Sequence, residues 1–320
     1  MPQSSPEMVI FVFGNQRFDC SALFKDSEIG WKSVMEYVIS LDLGGTHLRA
    51  AIVSTDLKIV EFLRERTLKG DKEQLFEQIC RMIESLSYKK YDIKKVGISA
   101  CGMIENDIIK LMPNLKIRDF DLKDRLEKKY GFKVDVVNDA NCTALAEATF
   151  GSTKDVKDSY FITISTGIGG CLIHNSEMVD LPFEIGHTLI NTKDGYQEFE
   201  QLCSGTGIVK LCASNSLNVE NAGDFFAKAE NKDELALKVL DIWTEMVAVF
   251  IANTQMEFNV DKFCLSGGVM KSSACFIKDI EDKANKILAP YPFKKVNIVL
   301  AEMDQDAGLF GGVAVALKIK

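Results

Sequence analysis

The chain has 320 residues, 47% of them hydrophobic, which is ample for a packed globular protein of two ordinary domains. A net charge of -8 argues against a surface built for nucleic acid or for an anionic membrane, both of which favour clustered Lys and Arg. Nine cysteines without a CxxC pair, an odd count with no secretory signal, point to reduced thiols and a cytoplasmic location.

Residues 1–34 read as an extension. Met8 Val9 Ile10 Phe11 Val12 Phe13 Gly14 is apolar but short and lacks a basic leader, so a signal peptide is not expected. No stretch approaches the roughly 20 apolar residues that span a bilayer. A first domain begins near Met35 Glu36 Tyr37. There Val38 to Val53 forms two β-prone runs around Asp42 Leu43 Gly44 Gly45 Thr46, a hairpin rather than a strand-to-helix phosphate loop. Leu57 to Leu63 alternates as a third strand, and Lys72 to Leu86 has helical spacing at Leu75, Ile79, Met82 and Ile83.

Val96 to Ala100 reads as a strand, residues 121–130 as a helix that Gly131 can cap, and Val134 to Val137 as a short buried strand. Asn138 Asp139 Ala140 Asn141 follows, ahead of a helix from Thr143 to Thr149. A second hairpin, Tyr160 to Ile173, turns at Ser165 Thr166 Gly167 Ile168 Gly169 Gly170, so the hairpin, connector and helix order recurs as in a duplicated α/β unit. Later come a long helix from about Glu234 to Glu257, a strand and glycine turn at Phe263 to Val269, and a small-residue helix from Ala307 to Leu317. The division expected is 1–34, then 35–140 with 301–320 as a small domain, and 141–300 as a large one.

Phosphoryl transfer needs backbone donors for phosphate, a carboxylate for Mg²⁺ and a base for the acceptor hydroxyl. The two glycine turns can supply the donors, Asp42 the metal shell, and Asp139 the base. Taken singly, each glycine turn is also an ordinary hairpin, Asp42 a turn cap, and Asp139 a helix cap. Glu184 Ile185 Gly186 His187, after a turn at Pro182, can converge on a polyhydroxyl ligand. Glu200 lies in a polar stretch that otherwise reads as a solvated face.

In combination, from about Glu36 to the C-terminus, these motifs resemble the ROK family of sugar kinases. The resemblance implies an actin-like (ribonuclease H-like) two-domain α/β fold with ATP and sugar in the cleft between the domains. It makes Asp42, Gly44, Gly45 and Thr46 the first phosphate motif, with Asp42 holding Mg²⁺ through water. Thr166, Gly167 and Gly169 fall in the second phosphate motif, and Gly267 and Gly268 in the adenosine-side motif. Asp139 becomes the catalytic base and also a sugar contact. Gly102, Asn114, Asn138, Glu184, His187 and Glu200 become the other sugar contacts. A homodimer is implied too.

Many members carry a cysteine-rich zinc loop between the positions of His187 and Glu200, but Asn191 to Phe199 holds no cysteine, and one histidine cannot make a tetrahedral zinc site. No structural zinc is therefore expected, and hydrogen bonds and packing must position His187. Cys101 stands where a proline is common, and Phe183 where a glycine is. The activity implied is phosphorylation of a hexose, glucose first, with N-acetylmannosamine, N-acetylglucosamine, fructose and allose open. A sugar-responsive repressor would need a winged helix that 34 residues do not accommodate. A non-catalytic sugar-binding regulator conflicts with retention of Asp42, Thr166 and Asp139 together.

Overall fold

The computed structural model describes residues 10–13, 16–19, 36–179, 181, 184–192, 195–303 and 306–318. Pro182 and Phe183, singled out in the sequence, lie outside the described residues. The chain divides into Met1–Glu36 and Tyr37–Lys320. In the first unit, β1 (Ile10–Phe13) and β2 (Gln16–Asp19) pair antiparallel.

The second unit opens on an antiparallel meander of β3 (Tyr37–Leu43), β4 (His47–Ser54) and β5 (Ile59–Arg66), followed by helix α1 (Lys72–Ser85). Strand β6 (Lys95–Ala100) joins β3 in parallel. A side sheet of β7 (Met103–Glu105), β8 (Ile108–Met112) and β9 (Ile117–Phe120) then leads to α2 (Leu122–Tyr130). Gly131 caps α2 with φ 70°, as its position in the sequence implies. Strand β10 (Lys133–Asn138) completes the sheet β10-β6-β3-β4-β5, and α3 (Asp139–Thr149) follows.

The same wiring recurs. Strands β11 (Ser159–Ile164), β12 (Ile168–His174) and β13 (Glu177–Met178) form a second meander. A hairpin of β14 (Leu189–Thr192) and β15 (Gly195–Glu198) precedes helices α4 (Phe199–Cys203), α5 (Gly205–Ser214), α6 (Ala222–Glu230) and α7 (Glu234–Phe258). Strand β16 (Lys262–Ser266) adds to β11 in parallel, and β17 (Ile298–Leu300), beyond α8 (Ile277–Leu288), adds to β16. The second sheet thus runs β13-β12-β11-β16-β17, with strand order and directions matching the first. The chain ends in α9 (Ala307–Lys318).

Alternation along β3 sends Ile39, Leu41 and Leu43 to one face, against Leu75, Ile79 and Ile83 of α1, while Val38 packs on Leu309 and Val313 of α9 on the other. Helix α9 lies almost on the sheet backbone: Ser40 Oγ donates to Leu309 O at 2.6 Å. A separate core on the second sheet gathers Trp243, Phe226 and Phe276 among α6, α7 and the segment before α8. Helix α3 is shared, with Ala144 and Ala148 against Phe161 and Cys171, and Cys142 and Leu145 against Ala314 and Val315 of α9.

Two boundaries depart from the sequence reading: the third strand runs Ile59–Arg66 rather than Leu57 to Leu63, because Leu57 lies in the turn with φ 66°. Helix α3 begins at Asp139 rather than Thr143, because the Asn138 side chain accepts from Ala140 N at 3.0 Å and caps it there. The described cysteines are free, and among the described residues no helix is long and apolar enough to cross a membrane.

Candidate active site

The first glycine turn is fixed from behind by Thr67, a buried residue that sequence reasoning passed over. Thr67 Oγ1 donates to Gly44 O at 2.7 Å, and Thr67 N donates to Thr46 O at 3.0 Å. With these carbonyls tied back, the amides of Gly45 and Thr46 donate to no described residue, the arrangement that suits an anion. A cavity of about 530 Å³ opens here, lined by Asp42, Gly44, Gly45, Thr46, Arg49 and Asp306 among others.

Asp42 sits one residue inside the end of β3. Its Oδ2 receives Arg49 Nε at 2.7 Å and Arg49 Nη2 at 2.6 Å. Oδ1 faces α9, where a Cβ built on Gly308 would stand 2.5 Å away. Asn114, in the 3₁₀ turn Pro113–Leu115, adjoins the same loop: its Cβ lies 3.0 Å from where Gly45 would carry one.

The ends of β6 and β10 bring the other polar residues in. Gly102 has φ +123°, and its carbonyl accepts Asn138 Nδ2 at 2.8 Å, so both sugar-contact candidates are one bonded unit. Asp139 is the first residue of α3, with Oδ1 accepting from Ala140 N at 2.9 Å. Its carboxyl is pushed above the usual aspartate value, first by burial and further by the charge of Asp42. The residue nonetheless remains exposed to solvent. Cys101 lies beside both acids: its thiol is pushed up to about 11, chiefly by burial and then by Asp139 and Asp42. Asp42, Cys101 and Asp139, scattered in sequence, therefore share one electrostatic environment.

The second turn is braced in turn by Glu200, whose Oε2 accepts Ile168 N at 2.7 Å and stands 2.6 Å from a Cβ built on Gly167. Gly205 N donates to Ser165 O at 2.7 Å, while the amides of Thr166 and Gly167 donate to no described residue. Gly169 adjoins Ala140, so this turn and the start of α3 are neighbours. Gly267 packs on the end of β11, where a Cβ would meet Ile164 O at 2.3 Å, and Gly268 stands exposed beside it.

Glu184 is exposed and precedes the 3₁₀ turn Ile185–His187, in which Gly186 rests on Ile168 O. His187 Nδ1 meets Glu198 Oε1 at 3.1 Å. No group of three metal-binding side chains occurs among the described residues.

Residues 38–319 match the ROK family. The chain belongs to the ROK family. One relative, a glucokinase of Halalkalibacterium halodurans, is 28% identical over 86% of this chain and 93% of its own length. An N-acetylmannosamine kinase of Citrobacter koseri is 29% identical over 87% of this chain and 98% of its own. The crystal structure of the ROK hexokinase from Thermus thermophilus superposes with a TM-score of 0.76 at 22% identity, covering 88% of this chain and 98% of that one. The α/β fold is thus the actin-like one of ROK proteins, and the repeated sheet is its duplicated unit.

Within that ROK fold, the residues missed by sequence reasoning are Thr67, Arg49, Gly308 and Glu198. Only Arg49 left a signal, being directly opposite Asp42 once the hairpin register is assigned. The others act through contacts between separate elements.

Proposed function

We propose that the chain is an ATP-dependent sugar kinase that moves the terminal phosphoryl group of ATP to a hexose hydroxyl, with glucose as first candidate and glucose 6-phosphate as product. The observation that carries this reading is the first glycine turn, whose Gly45 and Thr46 amides donate to no described residue and which lines one cavity together with Asp42. One carboxylate lines the cavity at the glycine turn; the other stands at a helix start, where an acceptor would bind. Asp139 takes the proton of the attacking hydroxyl, and its raised pKa keeps it basic enough to do so. The amides of Gly45, Thr46, Thr166 and Gly167 hold phosphate oxygens, with Gly169 shaping the second turn and Gly267 and Gly268 beneath the adenosine. Asp42 offers a carboxylate for Mg²⁺ through water, and the ion would neutralise phosphate charge there.

Gly102, Asn114, Asn138, Glu184, His187 and Glu200 complete the sugar side in this reading, with Asp139 at its centre. Residues 35–140 with 301–320 would close on 141–300 and exclude water. N-acetylmannosamine, N-acetylglucosamine, fructose and allose remain alternatives, and the names carried by the relatives favour glucose and N-acetylmannosamine as the first sugars to try. A coupled ADP-release assay over this panel tests the reading. Sugar-dependent release with one preferred hexose is expected; calorimetric sugar binding without release would assign a sugar-responsive regulator instead.

A further inference from the structure

Glu147 lies about two turns beyond Asp139 in α3 and is completely buried. The chain leaves the first sheet through α3 to enter the second at β11, and leaves the second after β17 to return to the first at α9. Glu147 grips both passages. Oε2 accepts from Ser152 N and Ser152 Oγ at 2.9 Å each on the outward one, and Oε1 from Glu302 N and Met303 N at 2.8 Å each on the return. Both segments are tied in turn to β16: Lys262 Nζ donates to Ser152 O at 3.2 Å, and Ala301 N to Leu265 O at 2.9 Å. The donors to Glu147 are neutral, so hydrogen bonds alone meet its charge. A buried carboxylate carries a desolvation cost that an apolar side chain of the same size would not; what it adds is direction.

We propose that Glu147 is a positioning residue for phosphoryl transfer: it fixes the far end of the helix that begins with Asp139 and, through the same carboxylate, the segment that leads to the neighbours of Asp42. The proposal rests on the kinase reading above. The start of α3 is held to the first sheet by Asn138, which caps Ala140 N and donates to Gly102 O. Along its length the helix packs largely through small side chains. Ala140, Ala144 and Ala148 lie against Phe161 and Cys171, and Gly311 of α9 lies against Cys142. Such faces approach closely but offer few large ridges to fix a helix along its axis, so the hydrogen bonds at its ends set its placement. Asp139 and Glu147 are separated by about 12 Å of helix, and a tilt at one end reaches the other. On the return passage Met303 soon gives way to Asp306, whose Oδ1 meets Arg49 Nη1 at 3.4 Å, and to Gly308, which abuts Asp42 Oδ1. One buried carboxylate thus ties the element carrying the candidate base to the element that flanks the phosphate-side acid.

The test compares the full-length protein with Glu147→Gln, Glu147→Ala and Ser152→Ala. Gln255→Ala serves as a control for stability alone, since the buried Gln255 side chain donates to Val260 O at 3.1 Å and Lys294 O at 2.9 Å at the end of α7. Turnover and both KM values come from coupled ADP release over the hexose panel, sugar affinity from calorimetry and stability from urea denaturation, at a temperature where circular dichroism shows each variant folded. Glu147→Gln keeps one acceptor oxygen and loses one grip, so kcat should fall at least about tenfold while sugar affinity and ATP KM stay within about threefold. Glu147→Ala should lose about 100-fold in kcat. Ser152→Ala keeps its amide bond, leaves both passages gripped and should stay within about threefold of wild type. Gln255→Ala should lose stability with kcat within about twofold. Wild-type turnover in Glu147→Gln, a fall in kcat matched by an equal loss of sugar affinity, or an equal fall in Gln255→Ala at equal loss of stability would each overturn the proposal and leave the kinase reading standing. A wild type that releases no ADP with any sugar would refute the kinase reading and the proposal with it.

Discussion

Arg49 gives two nitrogens, Nε and Nη2, to a single oxygen of Asp42, at 2.7 and 2.6 Å across the β3–β4 pair. The pair is four-fifths shielded from solvent, so the contact is neither a loose surface bridge nor a fully desolvated one. Its geometric effect is to turn the carboxylate so that the other oxygen faces α9. Removing the guanidinium leaves Asp42 free to rotate. A hydrogen bond to a charged group contributes about 1.5–3 kcal/mol, so Arg49→Ala is expected to lower kcat by roughly 10–100-fold. Sugar KM should change little, and Arg49→Lys should not rescue, because an ammonium cannot reproduce the two-nitrogen contact. Steady-state kinetics of both variants check this; unchanged turnover in Arg49→Ala would remove Arg49 from the machinery.

Gly308 gives a second, independent handle on Asp42. A Cβ there would stand 2.5 Å from Oδ1 and 2.6 Å from Cγ, inside contact distance. Position 308 is helical, where alanine exceeds glycine in propensity by ~1 kcal/mol. The overlap costs about 1–3 kcal/mol, offset in part by that propensity, so Gly308→Ala should lower thermal stability only modestly while kcat drops by about 100-fold, the scale of a misplaced catalytic group. Melting curves beside turnover numbers decide it: a parallel loss of both would mean that the helix, and not the carboxylate, had moved.

Asp139 carries a pKa raised in the fold, first by burial and then by Asp42. An acid with a raised folded-state pKa contributes stability that is present below its unfolded value, about 3.9, and is lost as pH rises through the folded value. At neutral pH the ionised group is thus a small liability in the fold, screened by solvent because the residue is exposed. Asp139→Asn is expected to abolish turnover with little loss of sugar binding, and to raise Tm at pH 7, an advantage that shrinks as pH falls toward 4. A Tm below wild type at neutral pH would falsify the electrostatic account.

Glu147 is completely buried in α3, and both its oxygens are used. Oε1 accepts from Glu302 N and Met303 N at 2.8 Å each, and Oε2 from Ser152 N and Ser152 Oγ at 2.9 Å each. Truncation strands part-buried donors on two loops. Glu147→Ala should destabilise by roughly 3 kcal/mol or more, and Glu147→Gln by less, since one acceptor oxygen remains. Chemical denaturation of the two variants provides the comparison.

The pattern of elements was largely legible in the amino-acid sequence. Alternation marked β3, β4, β5, β11 and β12, and helical spacing marked α1 and α7, since both periodicities are short-range. The start of α3 was not, because the choice between Asp139 and Thr143 depended on whether the Asn138 side chain turned back to cap. The side sheet β7-β8-β9 and the hairpin β14–β15 were missed as well: their strands are short and partly exposed, so they lack a clear hydrophobic rhythm.

Glycine and hydroxyl residues between β-prone runs, with Asp139 at a strand end, carried the expectation of phosphate and acceptor chemistry, because turn formation is dictated within a few residues of chain. The sequence by itself determined that two glycine turns lie between β-strands and that no cysteine stands between His187 and Glu200. Only the tertiary structure decided that Arg49 and Gly308 set the Asp42 carboxylate, that Thr67 and Glu200 brace the two turns, and that Glu198 returns to His187. Most of these pairings join separate elements. They exist because α9 packs almost onto the backbone of the first sheet and because a hairpin folds the segment after His187 back on itself, and neither packing distance nor hairpin register is encoded in any local run of residues.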